Sequence, residues 1–193
     1  MWDDLIWKFF LYFMDRRESM AKRAQGELRS QYLNFLRFKV TESAAATFTQ
    51  LEIDTNLSAE RGVMMEIHSV EFDFDSVNLV RECAANATEQ WLAQLTRETK
   101  TAAAELNDSD VIARTMLQMT RSAAIGTDAG PLWSFYDRTV RIDFPLPIPY
   151  VKPSIFAGVL GTGASAGSVF GRIGYTLREI DREDFLELLV ALQ

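Results

Sequence analysis

Three acidic side chains alternate along one segment of the sequence, at Glu71, Asp73 and Asp75. Alternate residues of an extended chain project from the same face, so these carboxylates are expected to lie side by side. Carboxylate oxygens are the ligands that calcium prefers, and the spacing indicates a divalent-cation site to which Asp108 and Asp110 add candidate ligands. A solvated strand face, or a sheet edge that its charge protects from aggregation, is the alternative explanation.

The sequence has one histidine, His68, and one cysteine, Cys83. A histidine without a neighbouring Ser or Cys nucleophile is more often structural than catalytic. A single cysteine cannot form an internal disulfide, and the two residues provide too few ligands for an ordinary zinc site. We therefore predict no catalytic residue and no enzyme, and no cofactor beyond the divalent cation.

A glycine-rich segment, residues 161–167 (GTGASAG), follows the apolar run 155–160 and has the composition of a phosphate-binding loop. Such a loop needs a helix directly after its glycines and further parallel strands beyond. Here an alternating segment follows, and only 26 residues remain. The glycines are therefore interpreted as a loop between two strands.

The N-terminal part of the chain is basic, whereas the rest is acidic. Residues 1–40 contain eight basic and five acidic side chains, a net charge of +3, and the remaining 153 residues have a net charge of −10. A basic arm on an acidic body suits contact with phosphate, and an ordinary solvated arm is the alternative. The cations predicted to bind nucleic acid are Arg16, Arg17, Lys22, Arg23 and Arg29.

Residues 1–14 are mostly apolar, with a helical spacing of the large side chains. The run is too short to span a bilayer, which takes about 20 residues, and acidic Asp3 and Asp4 argue against a secretory signal. Three interpretations remain: docking on another subunit, an interfacial membrane helix, and an extension upstream of a start at Met20. The predicted docking residues are Trp2, Ile6, Phe9 and Phe13.

From residue 33 onward the sequence consists of short segments in which apolar and polar residues alternate. These segments must position the candidate groups described above. Eight strands are predicted, at residues 33–41, 46–55, 62–75, 90–98, 110–121, 136–144, 154–160 and 168–180. The apolar residues of the third segment change parity at His68-Ser69, which predicts a β-bulge or a bend, as when a strand leaves one sheet for another. Two sheets are therefore expected.

Two further segments complete the predicted body. The prolines Pro145, Pro147, Pro149 and Pro153 remove backbone donors, which predicts an extended, unpaired connection. After the last strand, Asp181 is expected to cap a short helix in which Phe185, Leu188, Leu189 and Leu192 form an apolar stripe.

The length of 193 residues suits one packed domain, with 48 % hydrophobic and 24 % charged residues. Eight antiparallel strands without βαβ alternation predict an all-β fold, an eight-stranded antiparallel jelly-roll sandwich with an N-terminal arm or helix and a short C-terminal helix. The expected division is an apolar leader and mildly basic arm at 1–30 and a single jelly-roll domain at 31–193. An immunoglobulin-like sandwich is the near competitor, but the sequence has no Cys…Trp…Cys spacing.

The basic arm, the eight short segments, the proline-rich stretch before 154–159 (SIFAGV) and the ending 172–180 (RIGYTLREI) form a recognisable arrangement. It resembles the single jelly-roll capsid proteins of small icosahedral viruses, over roughly residues 30–193. The resemblance implies a shell-forming subunit of a virion, assembled in the host cell, whose arm points inward to the genome. It implies many copies of the chain as partners, nucleic acid as a further partner, and no membrane span. Removing residues 1–30 is then expected to leave the body folded while nucleic-acid packaging is lost.

Two other functions are compatible with the same residues. A jelly-roll module of this kind could bind a carbohydrate or a small ligand in its loops, with calcium at the three alternating carboxylates. A membrane-associated adaptor could use residues 1–14. Uniform particles in the electron microscope would favour the shell, whereas a monomer or dimer would favour the binding module.

Overall fold

The computed structural model describes residues 33–58, 62–75, 86–121, 133–135, 139–163 and 165–191. These residues form nine strands and one helix. The elements are β1 (Asn34–Thr41), β2 (Thr49–Asp54), β3 (Val63–Phe74), β4 (Ala87–Thr96), β5 (Val111–Arg121), β6 (Trp133–Phe135), β7 (Thr139–Tyr150), β8 (Ser154–Gly161), β9 (Ser168–Glu179) and α1 (Arg182–Ala191).

The strands form a long antiparallel hairpin that is folded over on itself. β4 pairs with β5 at its tip, and moving outward β3 pairs with β7, β2 with β8 and β1 with β9. Further pairing of β3 with β9 and of β4 with β8 closes two sheets, in the orders β1-β9-β3-β7 and β2-β8-β4-β5-β6. Two facing antiparallel sheets built from this nested hairpin are a jelly roll. The predicted all-β, eight-stranded fold is confirmed, and the three-residue β6 adds a short ninth strand at one edge.

Alternation along the strands determines which side chains fill the space between the sheets. In β1, Phe38 and Val40 are buried while Arg37 and Lys39 point outward. The Phe38 and Phe72 rings meet edge to face, with centroids 6.2 Å apart. Burial of large side chains such as these supplies the main driving force for folding. The largest fully buried side chains are Trp91, Tyr150, Phe72, Phe74, Met65, Ile67, Leu95, Leu117, Met119, Ile155 and Ile173.

The predicted bulge in the third strand is confirmed. The register of β3 shifts between Ile67 and Ser69 against both of its neighbours, so that residues on either side of His68 turn their apolar side chains inward. The strand pairs with β9 and β7 before and after the bulge, however, and therefore stays in one sheet. The expectation that it leaves one sheet for another is wrong, and the two sheets arise because most successive strands alternate between them.

The prediction for the proline-rich segment is wrong in part. β7 continues through it to Tyr150, and Ile148 and Pro149 lie opposite Ile67 and Glu66 of β3. Pairing is compatible with these prolines because β7 is an edge strand, where a missing N–H can face away from the sheet. Residues 144–147 fall at the bulge, between the two registers, so the ladder is irregular there.

The connections lie at two ends of the sandwich. The β1–β2 and β8–β9 connections lie at one end, and the β4–β5 connection, the start of β1 and α1 lie at the other. The predicted C-terminal helix is confirmed: Phe185 is buried with Met64 and Val151, and Leu188 and Leu189 pack against this cluster. Within the described parts of the chain, no helix has both the length and the apolar composition needed to cross a bilayer.

Several predicted features lie outside the described residues. These are the leader and basic arm within residues 1–32, Cys83 and Leu192. The domain division at residue 30, the docking residues of the leader and the nucleic-acid-binding cations of the arm therefore stay predictions.

Candidate functional site

The outer face of the β1-β9-β3-β7 sheet carries charged and aromatic side chains and is called the open face below. Its residues alternate with buried core residues along each strand. They are Phe35, Arg37 and Lys39 on β1, Phe170, Arg172 and Arg178 on β9, Glu66, Glu71 and Asp73 on β3, and Arg141 and Asp143 on β7.

The sign of the charge on the open face differs from strand to strand. On this face the charged residues of β1 and β9 are cations, whereas those of the neighbouring β3 are carboxylates. Two ion pairs join the cations of β9 to the carboxylates of β3: Arg172 Nη2 lies 2.8 Å from Glu71 Oε2, and Arg178 Nη1 lies 3.4 Å from Glu66 Oε1. The positive potential is therefore greatest along β1, the edge strand that is farther from the carboxylates.

Two exposed phenylalanine rings lie among the cations. The Arg172 guanidinium carbon is 5.2 Å from the centroid of Phe35, and Lys39 Nζ is 5.0 Å from that of Phe170. Both are cation–π distances. The two rings nevertheless remain 45 % and 40 % exposed. Large exposed aromatic side chains that are flanked by cations are typical of binding surfaces.

A shallow groove of about 230 Å³ opens on this face between β1, β9 and β3. Gly171 of β9 leaves room for the Phe38 ring on the core side of the sheet, because a Cβ there would lie 2.1 Å from that ring. The lining residues of the groove are Arg37, Phe38, Glu71, Asp73, Phe170, Gly171 and Arg172.

Two of the three carboxylates of the predicted cation site, Glu71 and Asp73, lie on the acidic side of the open face and have partners of other kinds, and Asp75 directly follows the end of β3. Glu71 accepts a hydrogen bond from Arg172, and Asp73 accepts one of 3.2 Å from the hydroxyl of Thr139. The backbone N–H of Asp75 donates to the carbonyl of Ser168. Among the described residues, no group of three or more His, Cys, Asp or Glu side chains could hold a metal ion. The divalent cation stays a prediction.

Asp108 and Asp110, the candidate additional ligands, lie in the β4–β5 connection at the far end of the other sheet. They bind the ammonium of Lys100, at 2.8 and 2.7 Å. These hydrogen bonds raise the pKa of Lys100, and the bond from Lys100 lowers the pKa of Asp108. The turn explanation is also met, since Asp108 accepts a hydrogen bond from the backbone N–H of Asp110.

His68 lies at the bulge of β3, where its Nε2 is 2.9 Å from the hydroxyl of Thr176. That hydroxyl also donates to Glu66, over 3.4 Å. The chain of hydrogen bonds links β3 to β9 across the irregular part of the ladder. This placement agrees with a structural histidine.

A carboxylate that sequence reasoning missed organises the glycine-rich connection. Glu42, only 3 % exposed, accepts hydrogen bonds of 2.7 Å from the backbone N–H groups of Gly161 and Gly167. The Trp91 ring lies against both glycines, where a Cβ would come within 2.7 Å of it. The segment connects β8 to β9 as predicted, and its backbone amides bind a side chain of the protein itself.

The outer face of the other sheet is called the covered face, because the β4–β5 connection lies on it. Gln94 of β4 is completely buried there, and its Oε1 accepts a 2.9 Å hydrogen bond from the N–H of Ala104. Gln50 Oε1 similarly accepts from the N–H of Lys100. The Phe48 ring covers Gly158 of β8. An open cavity of about 370 Å³ lies between residues 100 and 108 of the connection.

Comparisons with known proteins give structural matches only: no family model matches the sequence, and no curated protein matches it. The fold is similar to VP1 of Trichodysplasia spinulosa-associated polyomavirus, with 8 % identity, a TM-score of 0.45, and coverage of 77 % of this chain and 96 % of that one. For Merkel cell polyomavirus VP1, solved as an unassembled pentamer, the values are 6 %, 0.40, 78 % and 96 %. For the BFDV capsid protein, solved as a 60-mer, they are 10 %, 0.28, 79 % and 96 %.

The resemblance to jelly-roll capsid proteins that the sequence predicted is confirmed for the fold alone. Because every one of these TM-scores is below 0.5, the fold assignment depends on the strand order of the two sheets, and the function is argued below from the surface of this chain.

Proposed function

We propose that this chain is the subunit of a closed icosahedral shell that encloses nucleic acid, with no catalytic step of its own. Its place would be the virion, assembled in the host cell. The observation that supports the proposal is the distribution of exposed apolar side chains, most of which lie at the margins of the jelly roll where identical neighbours would meet.

Each of the three edge strands whose side chains the structure describes carries an exposed apolar side chain. Phe35 lies on the β1 edge and Leu51 on the β2 edge, and Leu146, 80 % exposed, lies where β7 bulges from its partner. An edge strand with free backbone groups and apolar side chains pairs readily with another chain. Burial of the β2 and β7 edges by copies of the same subunit would remove that liability. Cyclic repetition of one contact closes a ring, and a second kind of contact is needed to join rings into a shell.

Further apolar side chains are exposed at the end of the sandwich where the described chain begins and α1 lies. Leu186 and Val190 are four residues apart on α1 and therefore share one face of it, and Leu106 lies in the β4–β5 connection at the same end. This end thus offers a second apolar surface. A subunit with apolar surface at its edges and at one end can contact several neighbours at once.

The nucleic acid is assigned to the N-terminal arm on grounds of charge. The residues beyond position 40 have a net charge of −10, so the body as a whole repels phosphate. The arm supplies the opposite charge close to the start of β1. Its proposed contacts are Arg16, Arg17, Lys22, Arg23 and Arg29.

The assembly is tested with edge variants. We expect light scattering and negative-stain microscopy of the purified wild type to show particles of uniform size. Leu51→Gln combined with Leu146→Gln should abolish them while leaving the subunit folded, because both side chains are already exposed in the monomer. Met116→Gln is the matched control: Met116 is 50 % exposed on β5, which lies between β4 and β6. A wild type that stays monomeric or dimeric would contradict the shell and favour the ligand-binding module.

The role of the arm is tested separately. Replacing its five cations with Gln should leave particles of the same size that contain little nucleic acid, as read from the ratio of absorbance at the nucleic-acid and protein maxima. Particles of this variant with the full nucleic-acid content would show that the arm does not hold it.

A further inference from the structure

We propose that a band of five residues on the open face binds single-stranded nucleic acid, in addition to the arm. The band consists of Phe35, Arg37 and Lys39 on β1 and of Phe170 and Arg172 on β9. The inference rests on the proposed function, because it gives the enclosed nucleic acid a second contact on the folded body.

The strand register places the five residues in a regular pattern. Arg37 lies opposite Arg172, Lys39 opposite Phe170, and Phe35 opposite Gly174. One ring is therefore at each end of the band, with Arg37 and Arg172 between the rings and Lys39 beside Phe170. Four residues separate the two ends along β1, which is about 13 Å at the rise of a strand. Two rings at this separation can each stack one base of an extended strand, with the phosphates of the intervening nucleotides over the cations.

The rings are positioned for stacking before any ligand arrives. Arg172 lies against Phe35 and Lys39 against Phe170, contacts that restrict where each ring can move. The absence of a side chain at Gly174 lets the Phe35 ring lie against β9, since a Cβ there would be only 3.5 Å from the ring. Stacking of bases on aromatic rings is the main sequence-independent contribution to single-strand binding. A duplex hides the faces of its bases, so this contribution selects single strands.

Two of the cations are available to phosphate. Arg37 has no ion pair or hydrogen bond through its side chain to any described residue, and the contact recorded for Lys39 is with a phenyl ring rather than a carboxylate. They are two residues apart on one strand and project from the same face, about 7 Å apart at the backbone. Arg172, in contrast, shares its charge with Glu71.

The carboxylates of β3 determine the path of the strand. Glu71 and Asp73 line the opposite side of the groove and repel phosphate. A phosphodiester chain would therefore run along the β1 edge rather than across the sheet. This path begins near the arm, because Arg29 precedes the first residue of β1, Asn34, by only five positions. A strand held by the arm can continue onto the band without a break.

The test uses the full-length protein and a fluorescent oligothymidylate of about 12 nucleotides, within the site sizes of single-strand-binding folds. Binding is followed by anisotropy over a range of salt concentrations and compared with a duplex of equal length. One variant, Phe35→Leu with Phe170→Leu, removes both rings but keeps apolar bulk. A second, Arg37→Gln with Lys39→Gln, removes two charges. Arg114→Gln, on the covered face, is the control for the loss of a cation.

We expect the ring variant to bind the single strand about tenfold or more weakly, with the salt dependence and the duplex affinity unchanged. The charge variant should reduce the slope of log K against log salt by about 1.4, or 0.7 for each lost phosphate contact. Arg114→Gln should behave as wild type. Melting temperatures of all variants, measured in parallel, show that the loss is one of binding.

Two results would overturn the inference and leave the shell in place. If both band variants bind the single strand as tightly as wild type, whereas the variant with all five arm cations replaced by Gln does not, the arm alone holds the nucleic acid. If the variants keep their affinity but form fewer particles, the band is a contact between subunits. Absence of binding by the wild type itself would instead remove the nucleic-acid part of the proposed function.

Discussion

The two outer faces of the jelly roll use polar side chains in opposite ways. On the covered face, Gln94 is completely buried and its hydrogen bond holds the β4–β5 connection against the sheet. On the open face, Arg37 and Lys39 make no ion pair with a described carboxylate, and the rings of Phe35 and Phe170 are partly exposed to solvent. A polar group that is buried and paired contributes to stability, whereas one that is exposed and unpaired is available to a ligand. Substitutions should therefore lower stability on the first face and binding on the second.

The largest loss of stability is expected where the two sheets meet, at Glu42. Glu42→Ala leaves the buried N–H groups of Gly161 and Gly167 without an acceptor, which should lower the free energy of unfolding by about 3 kcal/mol. Urea denaturation of unassembled subunits measures it. Glu42→Gln keeps one acceptor oxygen and should lose less, and Glu52→Ala, at an exposed carboxylate, is the control. Equal stability of Glu42→Ala and wild type would show that this carboxylate does not hold the loop.

The next effect is on the covered face. Gln94→Ala removes the acceptor of the Ala104 N–H and leaves a small cavity, but it also removes a buried Nε2 that has no partner among the described residues, so we expect a loss of about 1 kcal/mol. Gln118→Ala, on the same face but only half-buried, should change stability by less than about 0.5 kcal/mol. If the two variants were equally stable, the connection would not be fastened by Gln94 and the contrast between the faces would lose its main support.

A smaller and pH-dependent effect is expected at Lys100, within the connection that covers this face. Its bonds lower the pKa of Asp108 from 3.8, so the stability that Asp108 contributes is present above pH 3.8 and is lost as the pH falls through the folded value. They raise the pKa of Lys100 from 10.5, so its contribution is present below that pH and is lost in stronger base. Lys100→Gln should therefore melt below wild type between about pH 5 and pH 9, with the difference shrinking in acid. A difference that grows in acid would contradict the pairing.

The smallest loss of stability is expected on the open face. Arg172→Gln breaks the ion pair with Glu71, but both side chains are partly exposed, so the free energy of unfolding should change by less than about 0.5 kcal/mol. The same variant should weaken single-strand binding, because Arg172 belongs to the band. A large loss of stability without an effect on binding would place this face in the same class as the covered one.

The strands could be predicted from the sequence because their signal is local. Alternation identified eight of the nine, and the change of parity at His68 located the bulge. The pairing of Pro149 was missed because the sequence does not show which strands lie at an edge. Glu42 was missed for a similar reason, since its partners lie more than 100 residues away in the chain.

The difference between the two outer faces could not be predicted from the sequence either. In β4, Gln94 has the spacing of a solvated residue, and only the connection that folds over it makes it a buried one. Arg37 and Lys39 were counted with the charge of the arm, but their arrangement with Phe170 and Arg172 exists only once β1 pairs with β9. Contacts between residues far apart in sequence leave no pattern in either one alone.

The nested hairpin determines the order in which the strands can pair during synthesis on the ribosome. The strands at its tip, β4 and β5, can pair as soon as residue 121 has emerged, whereas β1 must wait for its partners on β9, which begins at Ser168. Pairing of ends this distant in sequence is slow, because loop-closure entropy must be overcome first. The face built jointly by β1 and β9 therefore cannot exist on a nascent chain before β9 has emerged, and a translation product truncated before β9 could not present it to nucleic acid.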